Sequence, residues 1–231
     1  MFDLWIKYGD RLIDGALITV KLVVLACAIG LILAVPLALA RRSERRWLSI
    51  PAYLYIYFFR GTPLIVQLAL LYYGLAQFET VRESPFWLVL GDAQACGLLG
   101  LTLNTTAYVA EILRGGIAAV PKGEVEAAEA CGMSRGLAYR RIILPRAFRI
   151  AWPAYGNEVI LMLKGSALVS TITVYDLMGE TRSVFSRGYD DTVYLYAAAM
   201  YLILALGITA IFRAAEQRLN RYLGHTVHQR A

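Results

Sequence analysis

The strongest constraint on the fold is a series of long apolar runs. The first, from Gly15 to Ala40, contains a single charged residue, Lys21, and exceeds the roughly 20 residues that an α-helix needs to cross a bilayer. Hydrophobic residues make up 58% of the 231-residue chain, whereas soluble domains contain about 45–50% even with glycine counted. Because the runs are continuous rather than alternating, the sequence predicts an all-α integral membrane protein rather than a barrel.

Five spans account for these runs, at about 15–40, 51–78, 95–118, 149–172 and 192–213. The sequence RGTP interrupts the second span at 60–63. An odd number of spans places the two termini on opposite sides of the membrane. Lysine and arginine concentrate at 41–46, at 119–149 and after the fifth span, which places the C-terminus in the cytoplasm and the N-terminus outside. We expect residues 1–231 to form a single transmembrane domain.

The net charge of +6 does not indicate a nucleic-acid partner. The basic residues lie between apolar runs, which is the pattern of the cytoplasmic loops of a protein embedded in membrane lipid. They are not interleaved with aromatic residues on one face. Cys27, Cys96 and Cys131 lack the spacing of a metal or redox site. Since His225 and His228 also have no cysteine or acidic residue beside them, we predict no metal site.

The segment at about 119–148, between the third and fourth spans, predicts an elbow of two short helices. Pro121 suits the first position of a helix, and Gly132 can adopt the left-handed conformation that ends one. Ser134 can cap the second helix, which we expect Pro145 to end. A rigid cytoplasmic elbow suits contact with another protein, and an amphipathic loop lying on the membrane surface is the alternative.

This elbow resembles the EAA motif of ATP-binding-cassette importer permeases. The fixed positions match in order and spacing at Glu126, Ala127, Ala128, Gly132, Ile142, Leu144 and Pro145. In that family the elbow docks in a groove on a separate ATPase subunit, so the resemblance implies that these residues couple the chain to an ATPase. Three further stretches resemble the polar amino-acid branch: FRGTPLIVQL at 59–68, NTTAYVAEILRGGI at 104–117 and NEVILMLKGSALVSTI at 157–172.

The resemblance extends over nearly the whole chain and is closest to subunits that import histidine, lysine, arginine and ornithine, or the related opines. It implies a type I permease fold, alternating access and the bacterial inner membrane. The implied partners are an ATP-binding subunit dimer, a second permease chain of the same or similar sequence, and a periplasmic or extracellular amino-acid-binding protein.

The chain lacks a G-x-x-x-x-G-K-[ST] loop, which cradles ATP phosphates in nucleotide-binding proteins. We therefore expect a non-catalytic subunit that binds no cofactor, with ATP and Mg used by the partner ATPase.

Ionisable residues within the spans are expected to have a structural or functional role, because inserting each into the membrane costs roughly 2.5–3.5 kcal/mol on insertion scales. Glu111 and Arg114 lie three residues apart on one helical face, so we interpret them as a structural polar pair. Arg60 lies where Gly61 and Pro63 interrupt a helix, and the freed backbone must be satisfied by protein or water. We interpret this site as a kink in which a neighbour neutralises Arg60, with direct substrate contact as the alternative.

The fourth span places Glu158 near the bilayer midplane and Lys164 towards the outer side. At 100° per residue, Asn157 shares a face with Lys164, and Glu158 shares another with Gly165. Pro153 and two glycines should loosen this helix, and a broken, polar helix at this depth is typical of a transporter's binding site.

We predict that Glu158, Asn157, Ser166 and Lys164 bind the substrate. Glu158 would pair with the ammonium or guanidinium group of a cationic amino acid or an opine. Asn157 would orient the ligand, the Ser166 hydroxyl would reach the same cavity, and Lys164 would attract a carboxylate. A buried polar network that joins two permease chains is the alternative.

An ion-coupled secondary transporter of a small polar solute is the alternative function. The chain has no evident internal repeat and few spans, which argues against it. A membrane-embedded enzyme is disfavoured, because no H-E-x-x-H or G-x-S-x-G motif and no paired catalytic carboxylates occur.

Overall fold

A computed structural model describes residues 2–219, and this part of the chain is helical without strands. His225 and His228 lie outside the described residues. The α-helices are α1 (Phe2–Arg41), α2 (Arg46–Gly61), α3 (Leu64–Ala69), α4 (Glu79–Arg82), α5 (Trp87–Leu90), α6 (Ala93–Ala118), α7 (Lys122–Ala130), α8 (Arg135–Ala138), α9 (Leu144–Ser166), α10 (Leu177–Gly188) and α11 (Thr192–Leu219). Turns of π-helix occupy Leu70–Gly74 and Tyr139–Ile143, and 3₁₀ turns occupy Leu75–Gln77 and Ala167–Ile172.

Within the described range, α1, α6 and α11 are each long and apolar enough to cross a membrane. Two bent helix pairs raise the number of candidate spans to as many as five, if each pair forms one span. α6 and α11 begin within a few residues of the predicted third and fifth spans. α1 is longer than the predicted 15–40, because it begins at Phe2. At 1.5 Å per residue it measures about 60 Å, about twice the hydrocarbon thickness.

The second apolar run is broken as the RGTP sequence predicts. α2 and the segment from Leu64 to Gln77 are inclined at 105° to each other. Thr62 has the extended conformation, with φ −113° and ψ 146°, because a proline at the next position disfavours helical backbone in the residue before it. The helix therefore stops at Gly61 and restarts after Pro63.

The prediction that Pro145 ends the second elbow helix is wrong. α8 continues through the π turn into α9, and Pro145 lies in the first turn of α9. A proline is tolerated there because a first-turn residue needs no backbone donor. In the π turn before it, the Leu144 amide donates to the Tyr139 carbonyl, five residues earlier. α9 also contains Pro153 without interruption, so the expected break in the middle of this helix is wrong as well.

The core lies where α1, α6 and α9 pack together, and small residues allow their close approach. A Cβ added to Gly30 of α1 would lie 2.4 Å from the Thr105 side chain of α6. Three turns further along α6, on nearly the same face, a Cβ on Gly116 would lie 2.6 Å from the carbonyl oxygen of Ala147 in α9. The glycines therefore fix how these helices cross.

α10 was not predicted from the sequence, and it follows α9 after a bend of 51°. The bend passes through Thr173, whose φ is 65°. Asp176 then caps α10 by accepting a hydrogen bond from the Gly179 amide at 2.9 Å. Arg11 of α1 pairs with Glu180 at 2.6 Å, which ties the start of α10 to the first helix.

Candidate functional site

The break between α2 and α3 opens a cavity of about 430 Å³ against α6 and α9, which we call the first cavity. Its polar lining comes from three helices and the break itself, and consists of Arg60, Thr62, Asn104, Tyr108 and Glu158. Apolar contacts come from Leu64, Leu161 and Met162. This mixture of apolar walls and a few convergent polar groups is typical of a small-molecule site.

An amide network holds the break open. Gln67, only 4% exposed, donates from Nε2 to the carbonyl oxygens of Phe59 at 2.9 Å and Thr62 at 3.0 Å, and to the Thr62 hydroxyl at 2.8 Å. Asn104 of α6 donates to Gln67 Oε1 at 3.0 Å. Carbonyl groups that the break frees are thus satisfied by side chains, as backbone at membrane depth requires.

Glu158 contributes the carboxylate of the first cavity. It is 6% exposed, and no side chain among residues 2–219 hydrogen-bonds to it or forms an ion pair with it within 4 Å. Arg60 lines the same cavity and contributes a positive charge to it. A buried carboxylate without a close partner is costly, so this cavity favours a cationic occupant.

The four predicted substrate residues do not all meet at this cavity. Glu158 and Gly165 line it, as their shared helical face predicts. Asn157 and Lys164 lie together on the exposed side of α9 instead. Ser166 is fully buried, and its hydroxyl donates to the Leu163 carbonyl of its own helix at 2.8 Å. The structure therefore brings only Glu158 of the four to the cavity.

Thr62, Asn104 and Tyr108 were not predicted as lining residues, and Arg60 was expected to have a structural role. A polar residue within an apolar run was the available signal for Asn104. Which helical face meets the cavity depends on how α6 and α9 pack against the broken second segment, and the helical period does not contain that information.

A second cavity, of about 380 Å³, adjoins the first. Its polar lining consists of Arg41, Tyr53, Tyr57, Arg60, Tyr108 and Glu111. Arg114 Nε donates to both carboxylate oxygens of Glu111, at 3.0 and 2.9 Å. Arg60 Nη1 lies 4.0 Å from Glu111 Oε2, and its guanidinium carbon lies 5.2 Å from the centre of the Tyr108 ring.

The elbow begins with α7, which ends in a Schellman motif. The Gly132 amide donates to Glu129 O at 2.9 Å and the Met133 amide to Ala128 O at 3.1 Å. Gly132 has the predicted left-handed conformation, with φ +74°. Ser134 then caps α8 by accepting from the Leu137 amide at 3.4 Å, as expected.

The coupling residues predicted on the elbow differ in exposure. Glu126, Ala127, Gly132 and Pro145 are exposed, Ile142 and Leu144 are half-buried, and Ala128 is buried. Glu124 of α7 pairs with Arg146 of α9 at 3.2 Å. The elbow therefore presents Glu126 and Ala127 of α7 at its surface, while the ion pair between Glu124 and Arg146 ties it to α9.

Comparison with known proteins identifies the architecture. Residues 26–221 match the family described as binding-protein-dependent transport system inner membrane component. The chain belongs to this family. The octopine transport system permease protein OccM of Rhizobium radiobacter is 46% identical over 209 residues, which cover 90% of this chain and 85% of that protein. The histidine/lysine/arginine/ornithine transport system permease protein HisM of Escherichia coli strain K12 is 45% identical over 206 residues, covering 88% and 87%.

Solved structures agree with this assignment. A crystal structure of an amino acid ABC transporter with histidines superposes with a TM-score of 0.83 at 38% identity, covering 94% of this chain and 98% of that one. A chain of the MetNI methionine ABC transporter shares the fold alone, with a TM-score of 0.78 at 17% identity over 92% and 98%. The predicted ABC importer permease with an all-helical type I fold is thus confirmed.

Proposed function

We propose that this chain is the membrane-spanning subunit of an ATP-driven importer that carries a cationic amino acid (arginine, lysine, histidine or ornithine) or a related opine across the bacterial inner membrane by alternating access. The observation that carries the substrate class is the buried carboxylate of Glu158 in the first cavity, which forms no ion pair within 4 Å among residues 2–219. Relatives named for octopine and for basic amino acids support the same class.

The chemistry of the first cavity suits such a solute. A guanidinium or ammonium group at Glu158 forms charge-assisted hydrogen bonds and offsets the cost of burying the carboxylate. Thr62 and Asn104 lie on the same cavity and offer neutral polar contacts. The volume of about 430 Å³ is within the range of about 300–1,000 Å³ found for small-molecule sites.

The elbow would couple this site to a partner ATPase dimer, which uses ATP and Mg. The exposed Glu126 and Ala127 support this role, as does the rigid turn at Gly132. The proposed topology has five spans, with the elbow on the cytoplasmic side and a binding protein delivering the solute from outside.

A second permease chain would cover the exposed side of α9. Asn157 and Lys164 are exposed there, and polar side chains at membrane depth face a partner or water rather than lipid. Lys164 could attract a solute carboxylate only if this face borders the translocation path in the assembled pair.

Reconstitution tests the proposal. The chain would be assembled with its ATPase, second permease chain and binding protein in liposomes, and uptake of labelled arginine, lysine, octopine and glutamate would be measured. We expect ATP-dependent uptake of the basic solutes that persists when ionophores collapse the ion gradients. Uptake that follows the gradients and ignores ATP would support the ion-coupled secondary transporter instead.

A further inference from the structure

The two cavities share a wall. Arg60, Gly61 and Tyr108 line both of them. Each cavity also contains one carboxylate, Glu158 in the first and Glu111 in the second. Arg60 is therefore a cation that lines both cavities, whereas each carboxylate lines only one of them.

Arg60 is held weakly on the side of Glu111. Both oxygens of that carboxylate already accept close hydrogen bonds from Arg114, at 2.9 and 3.0 Å, whereas Arg60 Nη1 remains 4.0 Å away. The Arg60 side chain is also 44% exposed, which weakens the ion pair by solvent screening. Glu158, in contrast, has no close partner among residues 2–219.

The surroundings of Arg60 permit it to move. It precedes Gly61, the last residue of α2, where an added Cβ would meet nothing within 4 Å. The Tyr108 ring, which borders both cavities, lies beside the guanidinium group at 5.2 Å. A cation–π contact of this kind depends little on the direction in which the guanidinium hydrogen bonds point.

We propose that Arg60 is a movable cationic partition between the two cavities, which competes with a cationic substrate for Glu158 and shifts towards Glu111 when the substrate binds. This inference rests on the proposed function, since it requires a cationic solute at Glu158. Two cations beside one carboxylate repel each other, so binding of the solute favours the arrangement in which Arg60 pairs with Glu111.

The charge of the substrate would thereby control the position of Arg60 in the wall between the two cavities. A ligand shifts a conformational equilibrium only by its different free energy of interaction with the two states. Arginine and its neutral analogue citrulline have nearly the same shape, so a partition that responds to charge must distinguish between them.

The test measures binding of arginine and citrulline to the purified complex by calorimetry without nucleotide. In Arg60→Gln, the competing cation is absent, and we expect the Kd for arginine to fall about fivefold. In Glu111→Gln, Arg60 loses its alternative partner, and we expect the Kd for arginine to rise by a similar factor. Citrulline binding should change less than about twofold in both variants.

Arg60→Lys keeps the charge and should bind arginine nearly as the unmodified complex does. If Arg60→Gln weakens the binding of arginine and of citrulline equally, Arg60 binds the α-carboxylate that each of these ligands has, and the partition is refuted. Unchanged arginine binding in both neutral variants also refutes it. If Arg60→Gln does not assemble, selective weakening of arginine in Glu111→Gln supports the inference and equal effects on both ligands contradict it.

The unmodified complex separates this inference from the proposed function. A complex that binds none of arginine, lysine, histidine, ornithine and octopine contradicts the proposed substrate class. A complex that binds arginine normally, with variants that do not alter the preference over citrulline, contradicts only the partition.

Discussion

Helix α6 crosses α9 at the point where Gly116 lies against the backbone of Ala147. A Cβ on Gly116 would lie 2.6 Å from the Ala147 carbonyl oxygen and 3.1 Å from the Cβ of Ala151, one turn further along α9. Neither a carbonyl nor a helix backbone can yield as the end of a flexible side chain can, so this crossing admits no residue larger than glycine.

Gly116→Ala should therefore destabilise the protein by about 1–3 kcal/mol, the usual cost of overpacking a core. The adjacent Gly115 is a matched control, because an added Cβ there meets nothing within 4 Å. Thermal unfolding in detergent would measure both variants. Equal melting temperatures for Gly116→Ala and Gly115→Ala would contradict the close crossing.

Gln67→Leu should destabilise the break between α2 and α3. The variant removes the amide that now donates to the Thr62 carbonyl oxygen and accepts from Asn104, both at 3.0 Å, and an unsatisfied buried polar group costs about 1–3 kcal/mol. We expect a lower melting temperature together with weaker binding of arginine, since Thr62 and Asn104, which the Gln67 side chain holds in place, line the first cavity. The exposed Gln77 provides the matched change Gln77→Leu, which should leave arginine binding intact.

Gly132→Val should impair coupling without affecting membrane insertion. Its φ of +74° and the open space around it mean that the penalty comes from the backbone alone, and a left-handed conformation costs a branched residue about 1–2 kcal/mol. ATP-driven uptake and retention of the ATPase during purification would both fall. Gly136→Ala, in α8, is the control with ordinary helical backbone; normal uptake by Gly132→Val would contradict the coupling role.

Glu158→Gln keeps the shape of the side chain and removes its charge. We expect loss of arginine uptake, because a neutral amide cannot offset the charge of a buried guanidinium, while assembly and basal ATPase activity persist. Glu83→Gln removes an exposed carboxylate far along the chain from the cavity and should transport normally. Unchanged uptake by Glu158→Gln would return Glu158 to a structural role.

The five-span topology can be tested by cysteine labelling. Cys131 is exposed, whereas Cys27 and Cys96 are buried, so Cys131→Ser supplies a background with low reactivity. In that background, Glu83→Cys should react with an impermeant reagent added outside intact cells, and Ser43→Cys and Gly136→Cys should not. Labelling of Glu83→Cys and Gly136→Cys from the same side would contradict the topology.

Hydropathy predicted α6 and α11 well, because continuous apolar runs leave a membrane chain few other conformations. The break at Pro63 was also predictable, since a proline disfavours helical backbone in the residue before it, here Thr62. Pro145 and Pro153 misled the same reasoning. A proline ends a helix only where its neighbours cannot rearrange, and the π turn that accommodates Pro145 depends on packing.

The candidate site was predictable only in part, for a related reason. Helical period correctly separated the face of Glu158 from that of Lys164. It could not indicate which face meets the first cavity, because that depends on the position of the broken second segment. Asn104 became recognisable as a site residue only when its hydrogen bond to Gln67 placed it beside the break.

The uninterrupted course of α9 has a mechanical consequence. Its first turn is fastened to the elbow by the ion pair between Glu124 and Arg146, and the same rigid rod carries Glu158 about 18 Å further along its axis, at 1.5 Å per residue. Pivoted at the elbow, such a lever moves Glu158 by about 3 Å, the length of a hydrogen bond, when it tilts by about 10°. A hinge at Pro153 would absorb that tilt, whereas a stiff helix transmits it to the carboxylate.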